Sequence, residues 1–253
     1  MRLPMKCLTL RSNTIDTVVF DFDGTLADTL DSSLLAFEST LRQFNIDLPG
    51  PPTTKTYGPL SVEGMFRHIG VSDNTLLLKM VSRYNTLYRD IAPGIADLFP
   101  GVKDTLNLLT DRGFKLAIAT NELRENLDMF LTTFGIGHLF KTTCCADEVS
   151  QPKPWPDMGR EVLKRLDADA AQSLMLGDSI CDIQMAQQNS MASCAVSWGA
   201  TPIDRLLDTS PNLAITDFPQ LLDILGVVDT TLDFHSIFFN KPNGITETAL
   251  TFS

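Results

Sequence analysis

The segment DFDGTLAD, Asp21 to Asp28, places two carboxylates two positions apart and follows them with Gly24. A tight loop can hold such a pair so that both acids reach one reaction centre. Asp21 is then placed to attack phosphorus, while Asp23 gives a proton to the leaving oxygen and later takes one from water. Phosphate-monoester hydrolysis is among the slowest uncatalysed reactions, calling for enhancements of up to about 10²¹. Two carboxylates alone would repel a phosphate. The centre therefore calls for Mg²⁺, a hard cation suited to oxygen ligands, between the nucleophile and the phosphoryl group.

A further acidic ligand is offered by GDSICD, in which Asp178 ends an apolar run and Asp182 follows four residues later. Asp178 is the expected metal ligand. Asp182 either orients a cation from behind or serves as an acid at the start of the next helix. Positive charge and hydrogen bonds for a transferring phosphoryl group are available from Lys153 in QPKPWPD and from Thr120 in AIATN. Pro152 and Pro154 are expected to hold Lys153 in an extended segment. A strand-end aspartate by itself more often caps a turn than does chemistry. It is four such motifs in sequence, each at the end of an apolar run, that point to a reaction.

Those motifs need strands to carry them. Thr17 to Phe20 is a short apolar run that stops at the acidic turn, the pattern of a buried parallel strand meeting its loop. Phe114–Ala119, Ser173–Gly177 and Ser193–Trp198 repeat it, and Thr142–Ala146 does so more weakly. Between them lie helix-like stretches: VKDTLNLLTDRG closed by Gly113, ENLDMFLTTFG closed by Gly135, and DMGREVLKRL with Met158, Val162, Leu163 and Leu166 on one face. This alternation predicts an α/β fold with a doubly wound, Rossmann-like parallel sheet, whose ligands bind beyond the carboxyl ends of the strands.

The alternation breaks between about Thr29 and Ala92, where three helices are expected: Asp31–Phe44, Ser61–Ile69 and Asn74–Asp90. Gly50, Pro51, Pro52, Gly58 and Pro59 punctuate the stretch, and Pro93 and Gly94 mark its end. An inserted helical cap over residues 29–92 follows, with the core formed by residues 1–28 and 93–226 and a C-terminal extension at 227–253 that reads as a hairpin, an edge addition or a tail. Asp28 sits where the insertion begins and suits a helix cap or hinge. His68 and Arg67 read better as a solvated face than as substrate contacts. Trp155 reads as packing, the adjacent Cys144 and Cys145 as buried strand thiols, and the loop around Tyr57, Gly58 and Pro59 as a candidate contact to the leaving group.

Composition bounds the partners. The chain has 253 residues, 43% of them hydrophobic and 20% charged, which is ordinary for a globular protein large enough for a core plus an insertion. A net charge of -11 disfavours nucleic acid and anionic lipid at long range. A negative protein still binds a negative substrate where a metal ion and a few cations reverse the local field. The five cysteines (Cys7, Cys144, Cys145, Cys181, Cys194) form no CxxC pair, and no long apolar segment follows the N-terminal residues, so a cytoplasmic protein that does not span a membrane is expected.

In their order and strand-end positions, DFDGTLAD, Thr120 of ATN, Lys153 of PKPWPD and GDSICD resemble the haloacid dehalogenase superfamily over about Ile15 to Gly226, and within it the phosphoglycolate-phosphatase-like branch. The resemblance implies that Asp21 is the nucleophile and Asp23 the general acid and base. It also implies Mg²⁺ held by Asp21, the main-chain carbonyl of Asp23, and Asp178. Thr120, Asn121 and Lys153 would bind the phosphoryl group, with Asp182 steadying Lys153. Relatives that cleave carbon–halogen bonds lack the second aspartate, so Asp23 points to phosphate. This chain departs from the pattern at Cys181, where Asn is common, and at Asn189–Ser190, where a Gly usually ends the helix. Asn189 is expected to take the left-handed conformation there.

The expected activity is hydrolysis of a small phosphorylated metabolite. A phosphomutase of the β-phosphoglucomutase type would use the same aspartates but return the phosphoryl group to the sugar. A non-catalytic binding protein with the same fold is the third reading, disfavoured by the intact set Asp21, Asp23, Thr120, Lys153 and Asp178. Pattern alone leaves the oligomeric state open.

Overall fold

A computed structural model describes residues 15–58 and 60–227. The expected C-terminal hairpin or tail, Cys7 and Pro59 lie outside the described residues. In chain order the elements are β1 (Thr17–Phe20), β2 (Ala27–Asp28), α1 (Leu30–Gln43), α2 (Thr54–Tyr57), α3 (Val62–His68), α4 (Asn74–Ile91), β3 (Asp97–Leu98), α5 (Val102–Asp111), β4 (Lys115–Ala119) and α6 (Arg124–Phe134). They continue with β5 (Thr142–Cys144), α7 (Asp157–Leu166), β6 (Ser173–Gly177), α8 (Ile180–Gln188), β7 (Ala192–Val196), α9 (Ile203–Leu207), β8 (Leu213–Ile215) and α10 (Gln220–Ile224).

Six strands form one parallel sheet in the order β5-β4-β1-β6-β7-β8. From β1 the chain moves outward through β4 and β5, then returns to β6 on the other side of β1 and continues to β8. The carboxyl end of β1 is therefore the topological switch point, where neighbouring crossovers diverge and leave a crevice. Side chains alternate across the sheet as the pleat requires. Val18, Phe20, Leu116, Ile118, Leu174 and Leu176 belong to the larger core, whereas Val19, Ala117, Ala119 and Met175 enter a second core with Met158 and Val162 of α7 and Met185 of α8.

The insertion is helical, as its composition predicts, with a fourth short helix, α2, that the Pro and Gly punctuation conceals. Its two connections to the sheet are clasped by the antiparallel pair β2 and β3, with Ala27 opposite Leu98 and Asp28 opposite Asp97. Asp28 is thus an exposed strand residue rather than a helix cap; Thr29 occupies the N-cap of α1. Aromatic rings run unbroken from insertion to core: Phe37 on Phe66, Phe66 on Tyr84, Tyr84 on Tyr88, Tyr88 on Phe130 and Phe130 on Phe22. The insertion and that face of the sheet consequently share one hydrophobic cluster.

Other expectations change in detail. Gly113 and Gly135 close α5 and α6 with positive φ, as expected. At the end of α8 it is Ser190 (φ 59) that turns left-handed, not Asn189. Asn189 stays near-helical because its amide donates to the carbonyls of Pro156 (3.0 Å) and Met185 (2.9 Å), tying α8 to the start of α7. Strand β8 was not apparent from sequence, since LAI is too short to register as a run.

Candidate active site

Asp21 follows β1, and its N–H continues the sheet by donating to the Leu176 carbonyl at 2.9 Å. Beyond it, the Phe22 carbonyl accepts from the N–H groups of Thr25, Leu26 and Ala27, closing a compact turn. Gly24 is in the left-handed region (φ 76), and a Cβ there would lie 2.5 Å from Oδ2 of Asp178. Only glycine lets this turn press against the next acidic loop. Gly199 meets Asp178 from the other side, where a Cβ would fall 2.2 Å from the aspartate's own Cβ. Trp198 pins the same corner, its indole N–H donating to the Thr25 carbonyl at 3.1 Å.

Asp178 follows β6, with Thr25 Oγ1 donating to Oδ1 (3.3 Å) and the Ala200 N–H to Oδ2 (2.7 Å). Oxygens of Asp21, Asp178 and Asp182 lie within 4.8 Å of one another, and all three residues are buried. One cation sits among them: Lys153 Nζ donates to Asp21 Oδ1 at 2.7 Å and to Asp182 Oδ1 at 2.6 Å. The other oxygen of Asp182 accepts from the N–H (2.9 Å) and hydroxyl (2.7 Å) of Ser179 in a capping box that starts α8. Asp182 is thereby committed to Lys153 and to its helix, which leaves Asp21 and Asp178 as the carboxylates able to hold an ion. The donor set is entirely hard oxygen, carries more negative charge than Lys153 balances, and suits a divalent cation.

Electrostatics follow from that surplus. Burial works against the Lys153 charge, but Asp182 and Asp21 outweigh it and raise its proton affinity. Burial, then Asp182, pushes Asp21 up to about 7 despite Lys153. Burial, followed by Asp21 and Asp182, raises Asp178 well above the ordinary carboxyl value. Three carboxylates share one ammonium, so Lys153 stays charged while the excess negative charge favours protons or a metal ion.

Lys153 reaches this position from a turn, not from the extended segment its prolines suggest. The Trp155 N–H donates to the Pro152 carbonyl at 3.0 Å, and the Lys153–Pro154 peptide bond is cis. Asn121 grips the main chain of Lys153 at both ends: its Oδ1 accepts from the Lys153 N–H (2.9 Å), and its amide donates to the Lys153 carbonyl (3.0 Å). The Asn121 side chain is thus spent on holding Lys153. Among the described residues its main-chain N–H has no intramolecular acceptor, nor have those of Phe22 and Asp23. Unpaired donors beside Asp21 make an anion cradle. Thr120, buried at the end of β4, accepts from the Glu122 N–H at 3.0 Å and keeps its own hydroxyl proton for another acceptor.

Asp23 stands on the insertion side. Its Oδ1 accepts from Thr29 Oγ1 at 2.7 Å and from the Tyr88 hydroxyl at 3.4 Å. Burial, then the charge of Glu122, raises its proton affinity to about 7, with Thr29 opposing. Glu122, Thr29, Tyr88, Ser179 and the Gly199–Ala200 pair escape the motif reading. The serine was legible as a helix-capping pattern, and Thr29 lies one residue past the first motif. Tyr88 carried no local signal.

Other singled-out residues fall elsewhere. Trp155 is 51% exposed, a consequence of the turn that buries Lys153, so it does not pack as expected. Arg67 and His68 are exposed, with Arg67 bonded to Asn74 and His68 edge-on to Tyr57. Tyr57 is buried against Phe37, and Gly58 approaches Ala200, a Cβ there lying 3.4 Å from the Ala200 Cβ. Cys144, Cys145 and Cys194 are buried free thiols and Cys181 is half-buried. Among the described residues no helix is long and apolar enough to cross a membrane.

Known proteins resemble this chain in sequence and fold. A family model described as haloacid dehalogenase-like hydrolase matches residues 18–196. The chain is 34% identical over 212 residues to the probable phosphatase IndB of Dickeya dadantii, spanning 81% of this chain and 91% of that one. It is 29% identical to the pyrophosphatase PpaX of Oceanobacillus iheyensis, over 84% of this chain and 97% of the relative. The crystal structure of a predicted phosphoglycolate phosphatase from Haemophilus somnus superimposes with a TM-score of 0.74 at 25% identity, covering 83% and 97% of the two chains.

Proposed function

The protein belongs to the haloacid dehalogenase-like hydrolase family and is a phosphatase, and from that premise we propose that it hydrolyses a small phosphate monoester through a magnesium-dependent aspartyl-phosphate on Asp21. The observation that carries this reading is the unequal pairing of two neighbouring acids. Asp21 is held on Lys153 Nζ at 2.7 Å, whereas among the described residues Asp23 is held by hydroxyls alone.

In this reading Asp21, the main-chain carbonyl of Asp23, and Asp178 would hold Mg²⁺. When bound, the ion would supply charge neutralisation that lets an anionic substrate meet an anionic nucleophile. Thr120, Lys153 and the free N–H groups of Phe22, Asp23 and Asn121 bind the phosphoryl oxygens and stabilise the charge that develops on them. Asp21 forms a bond to phosphorus while the ester P–O bond breaks, and Asp23 gives its proton to the departing oxygen. Asp23 then takes a proton from water as the water oxygen attacks phosphorus and Asp21 is released. Asp182 holds Lys153 in place throughout. The helical insertion, residues 29–92, closes over a core of residues 1–28 and 93–226 to exclude bulk water, and the loop at Tyr57–Gly58 meets the leaving group. The free cysteines support a cytoplasmic setting.

Phosphate release from 2-phosphoglycolate, sugar phosphates, nucleotides and pyrophosphate, with and without Mg²⁺, tests the reading against Asp21→Asn. Magnesium-dependent release that the substitution abolishes is expected. Release that survives the substitution or ignores the metal would sink it, and an isomerised sugar phosphate in place of free phosphate would make the protein a mutase.

A further inference from the structure

The reaction needs one oxygen of Asp23 to exchange a proton while the carboxyl stays aimed at the leaving group. Motif logic supplies the acid but nothing that aims it. The side chain branches beyond the carboxyl end of β1, where rotation about its two torsions would carry the proton away from the reacting oxygen. Two hydroxyls restrict that rotation, and both fall on the same oxygen: Thr29 Oγ1 at 2.7 Å and Tyr88 at 3.4 Å from Oδ1. Among the described residues Oδ2 has no hydrogen-bond partner, and it is not buried away from solvent.

The donors come from the two ends of the helical insertion. Thr29 immediately precedes α1, and Tyr88 lies in the last turn of α4. Tyr88 is 2% exposed and its ring is locked between neighbours, stacked on Tyr84 (centroids 5.6 Å apart, planes at 14°) and edge-on to Phe130 of α6 (5.9 Å, 71°). The next residue fastens the same turn to the core, Arg89 reaching Glu125 at 3.0 Å and Asn126 at 3.4 Å. A hydroxyl on a ring held this way has little freedom, so its direction is set by the packing of α4 on α6.

We propose that Tyr88 is a positioning residue for proton transfer: with Thr29 it holds Oδ1 of Asp23 and so reserves Oδ2 for the leaving oxygen and, afterwards, for water. Neutral hydroxyls suit the task because they fix direction without the strong pull on the proton that an ammonium at the same place would exert. The arrangement also ties the acid to the insertion, since the groups that aim it belong to the segments leading into and out of the helices. The inference rests on the aspartyl-phosphate reading.

The test exploits the leaving group. An alkoxide needs a proton as it departs, whereas 4-nitrophenolate is stable without one, and kcat/KM reports only the steps through the first phosphoryl transfer. In full-length protein with Mg²⁺, Tyr88→Phe keeps the ring and removes the hydroxyl. It is expected to lower kcat/KM about 10-fold on an alkyl phosphate and less than about 2-fold on 4-nitrophenyl phosphate, with Tm unchanged. Tyr84→Phe, which removes a hydroxyl bonded to Ser33 rather than to Asp23, should stay within about 2-fold of wild type on both. Equal losses on the two substrates, or no loss, would overturn the proposal. Should Tyr88→Phe fail to fold, Thr29→Val carries the same test. Wild type that releases no phosphate from either ester, or Asp21→Asn that still does, would instead remove the underlying reading.

Discussion

Asp21 and Asp23 stand two residues apart and live in opposite surroundings. On the sheet side, Asp21 lies among Asp178, Asp182 and Lys153, a buried cluster in which every carboxylate has a fixed donor. On the insertion side, Asp23 meets Thr29, Tyr88 and the charge of Glu122, with no cation in direct contact among the described residues. Burial lifts both carboxyls to about 7, so what separates them is placement: Lys153 holds Asp21 among the carboxylates and unpaired N–H groups, as the proposed nucleophile needs. Hydroxyls hold Asp23 toward the insertion, where burial and the charge of Glu122 outweigh them and favour the proton that the proposed mechanism asks it to carry. In the proposed mechanism the same residue type acquires two chemistries from the elements that face it.

Removing the proposed proton carrier is the severest way to break that contrast. Asp23→Asn is expected to cut kcat/KM on an alkyl phosphate by about 10²–10⁴-fold while sparing 4-nitrophenyl phosphate far more, as steady-state kinetics on the two esters would show. Equal losses would mean that Asp23 belongs functionally with Asp21.

Lys153→Met attacks the other side. With the ammonium gone, activity should fall by about 10²–10³-fold on both esters alike. The metal-free protein should lose about 3–5 kcal/mol in urea unfolding, because the buried carboxylates lose their partner.

Titration sharpens the comparison. Burial raises Asp21 and Asp23 to about 7 from an ordinary 3.8, so between those values the folded chain binds more protons than the unfolded one. Stability of the metal-free protein should therefore fall as pH rises from about 4 to about 7 and then level off. Mg²⁺ should restore Tm most strongly above that window, where it replaces protons. A metal-free Tm that climbs through the window would contradict the assigned surroundings.

The smallest effect is expected from Ser179→Ala, which removes the hydroxyl holding Oδ2 of Asp182 and the N-cap of α8. A loss of about 1 kcal/mol in denaturant unfolding should accompany only a few-fold loss of activity.

The parallel sheet and the strand ends that bear Asp21, Thr120 and Asp178 were legible because a buried strand is a short apolar run and its end is marked where polar residues begin. Helices closed by Gly113 and Gly135 were legible for an equally local reason, a residue that tolerates positive φ. The turn at Lys153 was misread, since prolines constrain the chain locally while Asn121, 32 residues away, decides which conformation they adopt. Strand β8 is held by pairing to β7 and has too few residues to announce itself.

What the sequence alone determined was an inventory with local order: which acids follow which strands, and where the strand–helix alternation gives way to helices. Tertiary structure decided which acid meets a cation and which meets hydroxyls, that Asn121 holds a lysine's main chain, and that Tyr88 of α4 reaches Asp23 across 65 residues of chain. Local periodicity reports how each segment meets solvent and core. The partner of a side chain beyond its own segment is set only when the segments pack.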